Sequence, residues 1–458
     1  MTAAASTPNP AEINALADRN ATAFVWFRIF YNARFYYPVF MILFLDFGLT
    51  VDQFSWLNAV WAVAIVVLEV PSGALADIVG RRNLVIVAAL LMVAEMAVLC
   101  IVPVDAAGWV LAAFILNRVL SGASEAAASG ADEALAYDSL HAAGRAGEWT
   151  RVLERTARRR SVAMFTAMIT GALLYDPATW NAAFAWLGMG MEWTTAQTVK
   201  IPLYLTFVGG LVALGFALRM QEPPGERSVE PTLAGMWLNP FRNALRTGKW
   251  ILKNRAVWLI IGGAMLLDHV TRFSVTATSE YLRLCGYTES LLGPVNATFA
   301  LVALFLAGRA RWCTENQSPQ RNLFMLIGIA LVGLTGQALA LPYWSLIFVY
   351  IIFGTMVFVE PMVSTYLNHF APPKERATVL SFKGLVMNIG YGSFGLLFAQ
   401  LYATVRGVTS AGQGGAFLAS LGFLPAYFVA AAGLYLLLAR IKKPGSFAQT
   451  PLKAMQGL

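Results

Sequence analysis

Apolar runs long enough to cross a bilayer recur along the chain, separated by short breaks rich in charge, proline or glycine. At 1.5 Å rise per residue, about 20 apolar residues match a hydrocarbon core about 30 Å thick. The pattern predicts spans near 24–48, 54–76, 83–103, 108–131, 161–187 and 199–218, then 256–281, 290–307, 322–341, 343–366, 376–403 and 416–439. The longest polar stretch, 219–255, divides these into two sets of six. Its second half, 233–253, sets Trp237, Phe241 and Trp250 among Arg242, Arg246, Lys249 and Lys253, the composition of an amphipathic helix lying on a membrane surface. The expected organisation is an all-α membrane protein: a tail over 1–23, a six-helix bundle over 24–218, a linker over 219–255, a second six-helix bundle over 256–440 and a tail over 441–458.

Composition agrees with this pattern. Of 458 residues, 58% are hydrophobic and 13% charged, against roughly a quarter charged in a soluble domain. The net charge of +8 comes from residues scattered through the gaps rather than gathered on one face, so it signals topology and not a nucleic-acid partner. Arg81, Arg82 and the stretches 145–160, 219–255, 309–321, 374–376 and 440–443 fall on one side. Opposite them lie Asp52, Asp105, Asp176 and Glu192, with Lys200, Arg283 and Arg406 as basic exceptions. Positive charge marks the cytoplasmic side, which places both termini there and requires an even number of spans. Glu12 and Asp18 precede the first apolar run, so the N-terminus reads as a cytosolic tail and not a cleavable signal.

Several kinds of chemistry are not expected. Cys100, Cys285 and Cys313 lie in one apolar run and two different gaps, which predicts neither a disulfide framework nor a metal site. His141, His269 and His369 lack ligand spacing, and no phosphate-binding loop points to ATP. The run Gly390-Tyr-Gly392-Ser-Phe-Gly395 matches a dinucleotide-binding spacing, but it lies inside an apolar helix and predicts helix packing instead. No catalytic residues and no enzyme activity are expected.

The loop Gly73-Ala-Leu-Ala-Asp77-Ile-Val-Gly80-Arg81-Arg82 resembles the signature G-x-L-A-D-x-x-G-R-R of the major facilitator superfamily. It lies between the second and third spans on the basic side, where that family carries it. The resemblance implies the major facilitator fold, twelve transmembrane helices in two six-helix bundles, and transport by alternating access. It also implies a conformational latch at Gly73, Asp77, Gly80, Arg81 and Arg82, to which Asp132 is added. Arg118-Val-Leu-Ser-Gly122 resembles a pattern of proton-coupled members. Glu69-Val-Pro71 and the stretch 129–139 resemble a subgroup rich in drug-type exporters. The second-half counterpart, Gly308-Arg309-Ala-Arg311, lacks the aspartate, so no latch role is expected there, and 373–381 resembles the family's start of span eleven.

Charges within the spans supply the candidate pathway. An ionised side chain facing lipid costs several kcal/mol, so such residues are expected to turn inward. The set is Arg34, Arg118, Glu125, Asp268, Arg272, Glu360 and Lys383, and the resemblance places spans one, four, seven and ten around the central cavity. Arg118, Glu125 and Asp132 recur at seven-residue steps, which predicts one helix stripe. Carboxylates balanced between desolvation and nearby cations exchange protons readily, which makes Glu125, Asp268 and Glu360 candidate carriers. Three alternatives stand beside this: Asp268 and Arg272, four apart, neutralise each other; Arg118 and Glu125 pair, although seven residues is a poor spacing for direct contact; and Lys383 and Arg34 either hold an anionic substrate or balance Glu360. The expected function is proton-coupled transport of a small organic solute, with export the favoured direction and uptake of an anionic metabolite or metal chelate the alternative. No cofactor beyond the proton gradient is expected. The expected setting is a monomer in the bilayer of a bacterial inner membrane.

Overall fold

In the computed structural model, backbone is described for 9–104, 107–223, 242, 246, 248–370, 376–441, 449–451 and 453–454, with side chains at 70–78, 107, 376–378, 381 and 441 outside the description. Most of the expected surface helix at 233–253 lies outside the described residues.

The first helix, α1 (Pro10–Asn32), starts well inside the stretch expected to be a tail over 1–23. The Asn9 side chain accepts from the Ala11 N–H at 3.1 Å and Pro10 occupies the first helical position, where its missing N–H costs nothing. Asn20, polar in sequence, is fully buried, donating to Ser139 Oγ (2.8 Å) and the Gln221 carbonyl (2.7 Å) and accepting from the Gln221 N–H (3.0 Å). Tertiary partners thus draw an apparently hydrophilic segment into the bundle. The first span then breaks at 33–36, turns through a 3₁₀ segment at Tyr37–Val39 and resumes as α2 (Phe40–Asp46). Pro38 lies in that turn and supplies no N–H to a continuous helix.

The rest of the first half comprises α3 (Val51–Val79), α4 (Arg81–Ile101), α5 (Ala107–Ala128), α6 (Ala131–Ala142), α7 (Trp149–Tyr175), α8 (Pro177–Trp186), α9 (Thr195–Thr198) and α10 (Ile201–Arg219). Gly80, at φ 91°, separates α3 from α4 within a single residue. Gly130, at φ 76°, breaks the fourth span, so Asp132 lies on α6 while Arg118 and Glu125 lie on α5. The expected single stripe of three charges is therefore interrupted. The fifth span also departs from expectation: it ends at Tyr175 rather than 187, because Asp176 caps a new helix through the Ala178 N–H (2.9 Å) with Pro177 behind it.

The second half follows as α11 (Arg255–Thr276), α12 (Thr278–Leu284), α13 (Glu289–Asn316), α14 (Pro319–Ala338), α15 (Ser345–Phe370), α16 (Arg376–Val408), α17 (Gln413–Leu421) and α18 (Leu424–Ile441). Among the described residues, ten segments are long and apolar enough to cross a membrane. The broken first span and the fifth, with exposed Arg151, Arg155, Arg158 and Arg159 at its start, complete the twelve-helix arrangement.

Among the described residues, the halves meet at one end. There the core is continuous, running from Tyr36, Phe44 and Phe54 to Phe273, Tyr281 and Phe398. At the end bearing Arg81, residues such as Phe24, Leu84, Leu135 and Ala217 form a separate core of the first half alone. Small residues permit the contact: a Cβ on Gly395 of α16 would lie 2.9 Å from the Ser55 carbonyl of α3, and one on Gly293 of α13 would lie 2.5 Å from the Met168 carbonyl of α7. The glycine run at 390–395 thus serves helix packing, as its position inside an apolar helix predicts.

Polar bonds close the same end. Arg283 pairs with Asp46 across the halves (2.9 Å) and with Glu280 beside it (2.6 Å), while the Tyr175 hydroxyl donates to Asp46 (2.6 Å). The Ser290 N–H donates to Asp176 (3.1 Å), and the Met41 N–H to Ser279 Oγ (3.0 Å). A Gly395→Val variant should fail to close this end. In a Ser55→Cys background, labelling by a membrane-impermeant thiol reagent added on the Asp46 side should rise several-fold; unchanged protection of position 55 would refute the closure.

Candidate functional site

The break after α1 sets Arg34 inside the first half, where it forms an ion pair with Glu95 of α4; their side chains are 8% and 0% exposed. Glu95 was missed by the reading of the sequence. Its signal was present, however, as the one carboxylate inside the strongly apolar run Arg81–Ile101. Asn117 Nδ2 donates to the Glu95 carbonyl (2.9 Å), and Asn117 Oδ1 accepts from Arg118 Nε (3.0 Å) and Nη2 (2.7 Å). The Arg118 guanidinium also lies 5.5 and 5.4 Å from the ring centres of Phe40 and Phe44. Among the described residues no carboxylate pairs with Arg118, so a direct Arg118–Glu125 contact is not formed. Glu125 is exposed, within electrostatic reach of Arg34, Glu95, Glu69 and Arg118.

The second half builds its cluster from α11, α15 and α16. Arg272 pairs with Asp268 one turn away (2.7 Å), donates to Asn388 Oδ1 (3.0 Å) and covers the Tyr391 ring at 5.3 Å. Lys383 Nζ pairs with Glu360 Oε1 at 2.6 Å, the Glu360 side chain remaining 63% exposed. These four charges and Asn388 line a cavity of about 400 Å³. Asp268 and Arg272 thus neutralise each other and Lys383 balances Glu360, as the alternatives expected, whereas Arg34, expected to share in balancing Glu360, pairs with Glu95 instead. Tyr391 joins the halves, packing edge-on against Trp61 of α3 (6.4 Å) and lying within electrostatic reach of both Arg118 and Arg272. His269 is held by the Met265 carbonyl (2.6 Å) and the Tyr427 hydroxyl (3.1 Å), a packing arrangement away from the four charges.

The proposed latch residues are found apart from these clusters. The backbone N–H groups of Arg81 and Arg82, at the start of α4, donate to the two Glu222 carboxylate oxygens (3.1 and 3.0 Å). Arg82 Nε donates to the Met220 carbonyl (2.6 Å), and Arg81 pairs with Asp138. Asp132, 1% exposed, pairs with Arg28 of α1, which also reaches Glu133 (2.9 Å). All these partners belong to the first half or to the three residues that follow α10. The surroundings of Gly73, the Asp77 side chain and the segment 371–375 lie outside the described residues.

Each half carries a charged cluster, with Tyr391 within reach of both Arg118 and Arg272, and a sequence profile described as Major Facilitator Superfamily matches residues 23–395. The chain belongs to the major facilitator superfamily. This facilitator is similar in fold to a mutant form of the nucleoside transporter NupG, at TM-score 0.70 and 12% identity, covering 92% of this chain and 99% of that one. It is similar also to a bacterial homolog of the human lysosomal transporter Spinster, inward-facing and unoccupied, at TM-score 0.65 and 15% identity over 94% and 98% of the two chains. A D-xylose-proton symporter matches at TM-score 0.62 and 12% identity over 96% and 99%. No curated protein matches the chain in sequence. The facilitator is a membrane transporter and not an enzyme.

The Arg34–Glu95 pair should dominate the stability of the facilitator's first half. Removing one member leaves the other charge buried, which costs about 3–5 kcal/mol, whereas replacing both by apolar groups is often neutral. Arg34→Met should therefore lower the melting temperature in detergent sharply, and Arg34→Met with Glu95→Leu should recover most of the loss. A double variant as unstable as the single one would contradict this coupling.

Proposed function

We propose that the protein is a proton-coupled secondary transporter of a small organic solute, working by alternating access, with export the favoured direction. The observation that carries this reading is the opposition of Arg118 and Glu125 in one half to the Asp268, Arg272, Glu360 and Lys383 cavity in the other, bridged by Tyr391. Charges at this depth are expensive to keep unless they act on a substrate or a coupling ion. The resemblance of Glu69-Val-Pro71 and 129–139 to a drug-exporter-rich subgroup supports export.

Glu125 is the proposed proton carrier, exposed and without a directly paired cation among the described residues, with Asp268 and Glu360 as further members of the relay. Protonation of Glu360 would release Lys383, and protonation of Asp268 would release Arg272, so each pair can exchange its internal partner for substrate. Arg34 serves this pathway through Glu95. Gly73, Asp77, Gly80, Arg81, Arg82 and Asp132 form the proposed latch at the arginine-bearing end. That end lies in the cytoplasm under the positive-inside rule, with both termini, and the protein works as a monomer in a bacterial inner membrane. Under that orientation the closed end faces outward.

One observation favours a second reading. Arg118 has no ion-paired carboxylate among the described residues, and a cation so placed suits the anionic group of a metabolite or a metal chelate taken up with a proton. The same experiment separates the two. In proteoliposomes given a panel of organic cations and anions, an imposed pH gradient should drive accumulation by the parent. Glu125→Gln should lose the response to the gradient while keeping exchange of solute for solute. A Glu125→Gln protein that responds as the parent does would contradict its assignment as carrier, and gradient-driven accumulation of anions alone would favour uptake.

A further inference from the structure

A second cavity, of about 320 Å³, lies within the second half between α11, α14, α15 and α18. Its walls are apolar, including Leu259, Ile260, Leu267, Leu326, Val363 and Leu436. Gly263 leaves room for it: a Cβ there would lie 3.3 Å from the Tyr435 hydroxyl oxygen and 3.4 Å from Leu323 Cδ1. The mouth is formed by Pro319 and Gln320 at the start of α14 and by Ala439 and Arg440 at the end of α18, which places it at the arginine-bearing side. Around the mouth the helices present exposed Phe324, Leu434 and Leu437, a surface suited to hydrocarbon and not to water.

Polar groups occur at the inner side of this mouth. Asn322, 1% exposed, donates through Nδ2 to the Cys313 carbonyl (2.9 Å) and the Tyr366 hydroxyl oxygen (2.7 Å), but its buried Oδ1 accepts from nothing among the described residues. Because the Tyr366 oxygen is the acceptor in that bond, its proton is available to donate. A buried acceptor without a donor costs about 1–3 kcal/mol, so a ligand hydroxyl beside Asn322 would be retained. The charges at this mouth have one sign. Arg440 makes no ion pair among the described residues, Arg309 and Arg321 lie within electrostatic reach of Cys313, and no carboxylate lines the cavity.

We infer that this cavity binds one acyl chain of a phosphatidylglycerol molecule from the leaflet at the arginine-bearing end. The chain fills the apolar walls, the phosphate lies at Arg440, and a headgroup hydroxyl donates to Asn322 Oδ1 while the Tyr366 hydroxyl donates to an ester or phosphate oxygen. An apolar chain joined to an anionic, hydroxyl-bearing head is the chemistry that matches both parts of the site. Val359 of α15 lines this cavity and also the charged one, so the bound chain would rest one residue from Glu360. The lipid would thereby brace α15 at the point where Glu360 exchanges partners.

The test uses the full chain in phosphatidylcholine nanodiscs containing either phosphatidylglycerol or phosphatidylcholine with a photoactivatable diazirine in one acyl chain. Crosslinks are mapped by mass spectrometry, with Leu304 and Phe305 of α13, 72% and 80% exposed, reporting ordinary boundary lipid. The phosphatidylglycerol probe should label 259–267, 322–326 and 435–440 several-fold more than the phosphatidylcholine probe. Arg440→Gln, at an exposed position, should remove that preference, and Ala439→Trp should block labelling of the cavity by either probe, with labelling at 304–305 unchanged in both variants. Equal cavity labelling by the two probes, absence of cavity labelling by both, or an Arg440→Gln protein that keeps the preference would each overturn the assignment.

Discussion

An ionised side chain inside hydrocarbon must find water, a counter-charge or hydrogen-bond partners, and this constraint organises the structure. A lipid-facing arginine or carboxylate costs several kcal/mol, so each half turns its intramembrane charges inward. Arg34 finds Glu95, Arg272 finds Asp268, and Lys383 finds Glu360, while the outer faces of the helices remain apolar at positions such as Leu304 and Phe305. The result is a polar interior between two apolar-clad bundles. The pairs differ in what they leave accessible. Arg34–Glu95 is sealed and holds the break between α1 and α2 in place, whereas the Glu360 side chain is exposed, so the Lys383–Glu360 pair can change partners where the first cannot without loss of stability.

How the bundles meet follows from side-chain size. Ridges of Leu or Phe along α3 and α16 would keep backbones too far apart for the carbonyl contact at Ser55, and glycine at 395 removes that obstacle. Because such contacts rest on van der Waals packing with little hydrophobic gain against lipid, they can be broken and remade at modest cost. The Arg283 bridge adds a charged fastening over Asp46 and Glu280 at the same end. At the other end Arg81 and Arg82 fasten α4 to the end of α10 and to α6 inside one bundle, which lets that bundle move as a unit.

Much of this was legible in the sequence, and the misses share a cause. Apolar runs revealed the membrane class and the two-bundle fold, because about 20 consecutive apolar residues have few alternatives to crossing a bilayer. Asp268–Arg272 was readable because its members are four apart on one helix. Glu95 went unnoticed since its partner lies 61 positions away, and spacing along a chain says nothing about that distance. The same is true of Asn20, whose partners Ser139 and Gln221 turn a seeming tail into packed helix. Two misses had local signals that were overridden: Gly130, which interrupts the expected stripe of Arg118, Glu125 and Asp132, and Asp176-Pro177, which ends the fifth span early. The signature loop identified the family, yet the contacts of its arginines with Glu222 depend on where α10 ends.

The central claim is that substrate crosses by opening the end now closed between α2 and α12, where the Met41 N–H donates to Ser279 Oγ at 3.0 Å. The most direct measurement links Met41→Cys to Ser279→Cys by oxidation, in a background with Cys100, Cys285 and Cys313 replaced by serine, and follows transport in proteoliposomes. The account predicts that the oxidised protein binds solute without transporting it and that reduction restores transport. A cross-linked protein that transports at the rate of its reduced form would contradict it.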